Sequence, residues 1–337
     1  MLPSDDHTWN VLADLRTAGL PELMNEEMGW QVEIADFDGQ WPHMHTKIMI
    51  VDGKAMMAAG YNYSYLHLAK DHPSGLGLGM VDFGIHISGP VAQAARAAYD
   101  DLWAGSDTLE CGRLVSEWEN LWQWSCDRGT AVVNHLPEVL KYYVPAGETT
   151  DAYAMYRTEN HLAGDAAIEA AIRAADEKID ILEVNFSLEF LCDAAIVFQG
   201  ICNYDQNALP FMRALMETVE AKQIPVRILV EKEAMNGMEN KVAIQAFVEE
   251  LEKRGLRDLV EIRFYNGKLH SKAMNVDDQF MIVGSQNFHY SAWGENALTE
   301  FSLGTDDPQA MEDFQNAFEL RWADGIPAEE IMPSLAP

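Results

Sequence analysis

The sequence predicts an α/β protein made of two homologous α-β-α sandwich lobes that share one site at their interface. A short pattern is written twice: His45-Thr-Lys47 with Asp52 after four more residues, and His270-Ser-Lys272 with Asp277 after four more. The echo continues, because six residues beyond each Asp comes a small-residue turn ending in Asn: Ala59-Gly60-Tyr61-Asn62 and Gly284-Ser285-Gln286-Asn287. Each copy then reaches a carboxylate, Asp82 or Glu300, followed by an apolar strand and a helix that ends in Trp103 or Trp322. Matching elements at matching spacing mark a duplicated unit. Apolar strands alternating with helix-period segments argue for helices layered on a sheet.

Taken in order, residues 11–16 read as helix and 31–34 as strand, mirrored by 248–253 and 260–264 in the second copy. Residues 46–51 form an apolar strand, 56–59 start the next, and 83–88 make a third. Pro90 opens a helix through Trp103, with Val91, Ala94, Ala95, Ala98 and Leu102 on its inner stripe. In the second copy 273–276, 280–283 and 300–303 are the matching strands, and 308–322 is the matching helix. Pro145, Gly147 and a polar run place the junction at 144–151.

The copies differ upstream of the motif. The second has residues 152–269 before its His, read as helix 165–178, strand 179–184, helix 209–222 and strand 226–230, whereas the first has only residues 1–44. The expected division is therefore a first lobe at 1–147, incomplete at its amino terminus, and a second at 148–337. Either the first lobe is reduced or the chain begins at an internal Met. The second explanation is preferred, since a sheet without its central strand and covering helix leaves apolar surface exposed.

At 337 residues with 48% hydrophobic content, the chain suffices for two packed domains. No window reaches the apolar length of a membrane span, and Met-Leu-Pro-Ser-Asp-Asp-His has neither the basic region nor the apolar core of a secretory signal, so localisation stays open. With 54 acidic against 23 basic residues, the net charge of −31 repels polyanions and argues against a nucleic-acid partner. Cys111, Cys126, Cys192 and Cys202 are sparse and outside any C-x-x-C pair, so buried or free thiols are expected.

The repeated residue types suit attack on a phosphodiester. Its anionic oxygens repel nucleophiles, so a site must neutralise charge while placing an attacker in line with the leaving oxygen. Lys47, Lys272, Asn62 and Asn287 supply donors. One neutral imidazole attacks phosphorus while the other, protonated, gives its proton to the departing alkoxide. Each imidazole needs a partner on its second nitrogen, and Asp82 and Glu300 are the expected orienters. The residues alone leave open which His attacks.

Both motifs, the Gly- or Ser-containing turn with its Asn, and the downstream carboxylates resemble the phospholipase D superfamily, whose signature is H-x-K-x4-D. The resemblance runs from roughly residue 10 to residue 325, weakest over 104–150, and the order of the second lobe looks like bacterial cardiolipin synthases and their relatives. It implies a phosphohistidine intermediate on His45, with His270 as general acid and then base, and no cofactor. It makes Asp52 and Asp277 structural despite their place in the motif. Ser285 becomes an added phosphate donor, read as replaced by Ala59 in the first copy.

The resemblance implies a phosphodiesterase or phosphatidyltransferase acting on phospholipids, working as a monomer with pseudo-twofold lobes. A nuclease or small-diester phosphodiesterase of the same superfamily is the alternative, and from another class a non-catalytic scaffold or anion binder with an incomplete first lobe. Three features compete for a role. His43 and His45 with Asp52 suggest a metal pair, but Lys268 stands where His43 would recur and no metal is expected. Trp118, Leu121, Trp122 and Ser125, with Trp124, fall at helical spacing, as a core stripe or as an anchor for peripheral membrane contact. Gly75-Leu-Gly-Leu-Gly-Met80 lacks the strand and helix of a nucleotide loop and reads as a flexible loop near the site entrance.

Overall fold

The computed structural model describes residues 35–37, 42–62, 67–110, 127–130, 150–190, 192 and 202–333. Residues 11–16 and 31–34, Cys111, Cys126, the Trp118–Ser125 stripe and 144–149 of the junction lie outside them.

In the amino-terminal half, β1 (Ala35–Phe37) is followed by β2 (Ile48–Val51), β3 (Ala55–Ala59) and β4 (Gly84–Ser88). Asp52 and Gly53, between β2 and β3, sit at φ 55° and 64°, and Lys54 N–H donates to Val51 O at 2.9 Å. Asp tolerates the left-handed region better than most side chains, which is a physical reason for the motif aspartate. Pro90 then caps α1 (Val91–Ala104), whose buried residues are Ala92, Ala95, Ala98 and Leu102. The expected stripe is corrected at two places: Ala94 is exposed and Val91 only half-buried, because the inward face turns on Ala92. Two more strands follow, β5 (Ser106–Glu110) and β6 (Asp127–Thr130).

The carboxy-terminal half runs β7 (Ala152–Arg157), α2 (Ala163–Ala174), β8 (Ile179–Glu183), α3 (Pro210–Lys222), β9 (Val226–Val230), α4 (Ala234–Arg254), β10 (Val260–Tyr265), β11 (Lys272–Val276), β12 (Phe280–Gly284), β13 (Glu300–Thr305), α5 (Pro308–Ala323) and β14 (Gly325–Pro327). These strands form one sheet in the order β14-β10-β9-β8-β11-β12-β13-β7, with β8, β9 and β10 parallel. Its centre is buried on both faces. Ile179 and Ile181 of β8 join Val226, Ile228 and Val230 of β9 in one apolar cluster with α2, α3 and α4, while Leu182 and Leu229 join α5 in another. Double-sided burial explains why these strands read as continuous apolar runs. Asp277 repeats the turn of Asp52 at φ 57°, and its carboxylate accepts the backbone N–H of Asp176, Glu177 and Lys178 at 2.7–2.8 Å.

The strand pairings of the two halves run alike. β2-β3-β4 echoes β11-β12-β13, and the β1–β5 pair echoes β10–β14. In the carboxy-terminal half β8 and β9 join the two groups, whereas among the described residues of the amino-terminal half they form two three-stranded sheets. Those bridging strands are residues 179–183 and 226–230. Among the described residues β2 is an edge, and its Met49 and Val51 are 47% and 52% exposed.

One expectation about sulfur is corrected: Cys192 and Cys202 form a disulfide that closes the loop between β8 and α3. Among the described residues no helix is long and apolar enough to cross a membrane.

Candidate active site

The site is assembled by two short parallel bridges between the halves. Met44, just before His45, pairs with Thr299, just before Glu300; Leu269, just before His270, pairs with Val81, just before Asp82. The backbone closes each bridge, with His45 N–H donating to Thr299 O at 2.9 Å and His270 N–H to Val81 O at 2.8 Å. Each half therefore brings its imidazole beside the other half's carboxylate. His45 Nδ1 lies 2.9 and 3.0 Å from the Glu300 oxygens, and His270 Nδ1 lies 2.8 Å from Asp82 Oδ2. A carboxylate on Nδ1 holds the proton there and leaves Nε2 as the working nitrogen of each ring. The imidazole side chains remain 21% and 18% exposed while Glu300 and Asp82 are 0% and 4%, so the rings are the more open members of each pair and the carboxylates stand behind.

The lysines follow the same symmetry. Lys47 Nζ donates to His45 O at 2.7 Å, and Lys272 Nζ to His270 O, each beside its own motif imidazole. Asn62 is exposed after the end of β3. Asn287 is half-buried, and its Oδ1 is buried without a hydrogen-bond partner. Ser285 points elsewhere than expected. Its hydroxyl, fully buried, donates to Glu300 Oε2 and accepts the Phe301 N–H at 3.0 Å, so its hydrogen bonds in this structure go to the carboxylate and the backbone. Its counterpart is also corrected: counting back from each Asn, Gly60 and not Ala59 matches Ser285. A Cβ at position 60 would collide with Asp82 Oδ1, so glycine is what lets Asp82 approach.

Residues 168–322 match the family model described as cardiolipin synthase, PLD-like domain. Residues 168–322 thus form a phospholipase D-like domain. Among solved structures, it resembles the phosphatidylserine synthase of Haemophilus influenzae Rd KW20 with a TM-score of 0.55 at 13% identity. That match covers 85% of this chain and 63% of the synthase, so the chain spans less than two thirds of that protein. Nuc of Salmonella typhimurium, a phospholipase D family member, is 19% identical over 53% of this chain and 98% of its own, with a TM-score of 0.40. NucT of Helicobacter pylori is 17% identical over 53% and 99%, with a TM-score of 0.38. No curated protein matches the chain.

In this phospholipase D-like site, burial sets the charges. It pushes His45 below the ordinary imidazole value, opposed by Glu300 and reinforced by Lys47 and Lys272. It pushes His270 down as well, helped by Lys272, whose Nζ is 3.0 Å from His270 Nδ1, and by His67, Lys47 and His45. Lys47 falls to about 7 and Lys272 is also lowered, while Asp82 rises to about 6 against the pull of Lys272 and the Phe83 N–H. Every cation is thus destabilised by burial, and an entering phosphate anion would reverse that.

Two residues of this phospholipase D-like site were not singled out from the sequence. Glu183, fully enclosed, sits opposite Lys272 in the β8–β11 register and is pushed well above the ordinary carboxylate range by burial, with Lys272 opposing. Only the partner strand reveals it. His67 lies 3.6 Å from Asp82 Oδ2 and meets the His270 ring edge-on at 4.9 Å. Its sole sequence signal is a position five residues after Asn62, where the second copy has Ala292.

Proposed function

We propose that the chain is a phospholipid-directed phosphodiesterase or phosphatidyltransferase whose two homologous lobes, 1–147 and 148–337, build one active site. The crossed dyads, His45 with Glu300 and His270 with Asp82, carry this reading, because two carboxylate-backed imidazoles match a double displacement at phosphorus. In the first displacement His45 Nε2 attacks phosphorus, a P–N bond forms, the P–O bond to the leaving alcohol breaks, and the alkoxide takes the Nε2 proton of His270. In the second, water or another alcohol loses a proton to His270 Nε2 as its oxygen attacks, and the P–N bond breaks. Lys47, Lys272, Asn62 and Asn287 neutralise the non-bridging oxygens, with no metal or cofactor required.

The phospholipid preference is supported by Leu76 and Leu78, 57% and 38% exposed on the loop that leads into Asp82, and by the surface charge of −31, which disfavours a nucleic-acid polyanion. The structural likeness to a phosphatidylserine synthase fits the same substrate class. Vesicles of phosphatidylglycerol or phosphatidylcholine, with and without glycerol or ethanol, are expected to yield phosphatidic acid or a new phosphatidyl ester. Intact lipid alongside cleaved plasmid at low salt would instead select the nuclease.

A pH profile is expected as well. Asp82 must be ionised to hold the His270 imidazolium, so kcat/KM is lost as pH falls below about 6. Lys47 must be charged to bind the anion, so kcat/KM is lost as pH rises above about 7. The maximum should lie between, and Lys47→Arg should carry the alkaline limb upward. A flat profile from pH 5 to 9 would remove both roles.

A further inference from the structure

The two dyads are furnished differently, since among the described residues only one carboxylate has a second side-chain donor. Behind His45, Glu300 receives a second side-chain donor besides the imidazole, the buried hydroxyl of Ser285. Behind His270, the equivalent position is Gly60, which has no side chain to donate. Asp82 Oδ1 takes the Phe83 N–H at 2.8 Å and Oδ2 takes His270 Nδ1 at 2.8 Å. Oδ2 is also faced, at 3.6 Å, by the Nδ1 of His67, whose side chain is 8% exposed and whose Nδ1 is buried without a hydrogen-bond partner. The His67 ring stands at 78° to that of His270, and Tyr61 lies 6.3 Å away on another side. The charged and titratable groups that act on it are Asp82, His270, Lys272 and Lys47.

We propose that His67 is a positioning residue of the His270–Asp82 dyad, supplying to Asp82 from the following loop the hydrogen bond that Ser285 supplies to Glu300. A separation of 3.6 Å is too long for a hydrogen bond, but such contacts tighten when a substrate enters. Burial lowers the His67 imidazole against the pull of Asp82, which favours a neutral ring whose Nδ1–H can donate to the carboxylate without adding a second cation beside Lys272. The edge-on contact meanwhile fixes the plane in which His270 presents Nε2. The donors of His67, Asp82 and His270 all lie within 4.8 Å of one another, a spacing that would also suit a small divalent cation. Lys272 Nζ, 3.0 Å from His270 Nδ1, would repel that ion, so a shared proton fits better than a metal.

The kinetic part rests on the phosphodiesterase reading above, so the test has an arm that does not. In the full chain, His67→Ala should lower kcat for bis(p-nitrophenyl) phosphate about 10- to 100-fold with KM nearly unchanged. It should also raise the acid limb of kcat/KM by about one pH unit, since a carboxylate that loses a donor is harder to ionise. His67→Gln, which keeps an N–H donor, should restore most of both effects and decides the matter if the alanine variant does not fold. Independently of turnover, histidine-labelled NMR should show the His270 Nδ1–H resonance moving upfield and exchanging faster in His67→Ala. An unmoved resonance and acid limb in a folded His67→Ala protein would overturn the proposal. So would a wild-type protein that behaves like the variant once EDTA is added and recovers with Zn²⁺, since a bound metal would then be the reason for the cluster. If wild type cleaves no diester yet the resonance moves, the positioning role stands and the catalytic reading falls.

Discussion

Replacing His45 by alanine is expected to lower kcat by at least about 10⁴-fold and to abolish any covalent phospho-enzyme, while His270→Ala is expected to let that intermediate accumulate. The asymmetry follows from what each imidazole must do. In the proposed mechanism His45 alone forms the P–N bond, and neither of its nearest partners would replace it: Glu300 is fully buried behind the ring, and Lys47 donates to the His45 carbonyl. His270 moves a proton twice, and the first transfer matters little when the leaving group is as acidic as p-nitrophenol. With an aryl diester, His270→Ala should release about one equivalent of p-nitrophenolate in a burst and then stall, because the attacking water has lost its base. Phosphopeptide mapping of the quenched enzyme locates the adduct. A burst from His45→Ala, or phosphate found on His270 in the wild type, would reverse the assignment.

The strand pattern was legible because it is local. Period-two apolar runs, an Asp at each tight turn and a Pro before each closing helix placed β2, β3, β4, α1, β11, β12, β13 and α5 to within a few residues. The long α4 was glimpsed only at its end, 248–253, since Gly237 and a mixed pattern of charges and apolar residues blur its first turns. The pairing of His45 with Glu300 and of His270 with Asp82 was not legible, because two equivalent carboxylates and two equivalent imidazoles can be matched in two ways. The backbone bridges Met44–Thr299 and Leu269–Val81 choose the crossed one.

What the repeat concealed was its own breakdown. Read as matching copies, positions 60 and 285 should do the same work, yet the first must be Gly to admit Asp82 and the second must be Ser to hold Glu300. A carboxylate one methylene shorter reaches its imidazole only if the neighbouring strand gives way. The Cys192–Cys202 pair escaped notice for a similar reason: a spacing of ten residues carries no motif, and only the loop geometry brings the sulfurs together.

Arg157→Met is expected to be the most damaging substitution for stability, at about 3–5 kcal/mol in urea unfolding. Arg157 is fully buried and sits opposite Glu300 in the β7–β13 register. Its guanidinium pairs with Asp165 at 2.8 Å and donates to the carbonyls of Gly294 and Leu298, while Asp165 accepts the Gly294 N–H at 3.0 Å and Gln286 Nε2 at 2.8 Å. This network ties down the loop that delivers Thr299 and Glu300 to His45, so its loss should lower kcat for the diester together with stability. Burial already pushes Asp165 upward, with Arg157 opposing. Without Arg157 its folded pKa rises further above the unfolded one, so the native state holds the proton more tightly and stability is lost as pH rises through that value. The deficit should therefore be larger at pH 8 than at pH 5, and Asp165→Asn added to Arg157→Met should return part of it at pH 8, since no buried charge is then left unpaired. A loss below about 1 kcal/mol, or a deficit that does not change with pH, would mean that water reaches Asp165 and that the loop before Glu300 is held by other contacts.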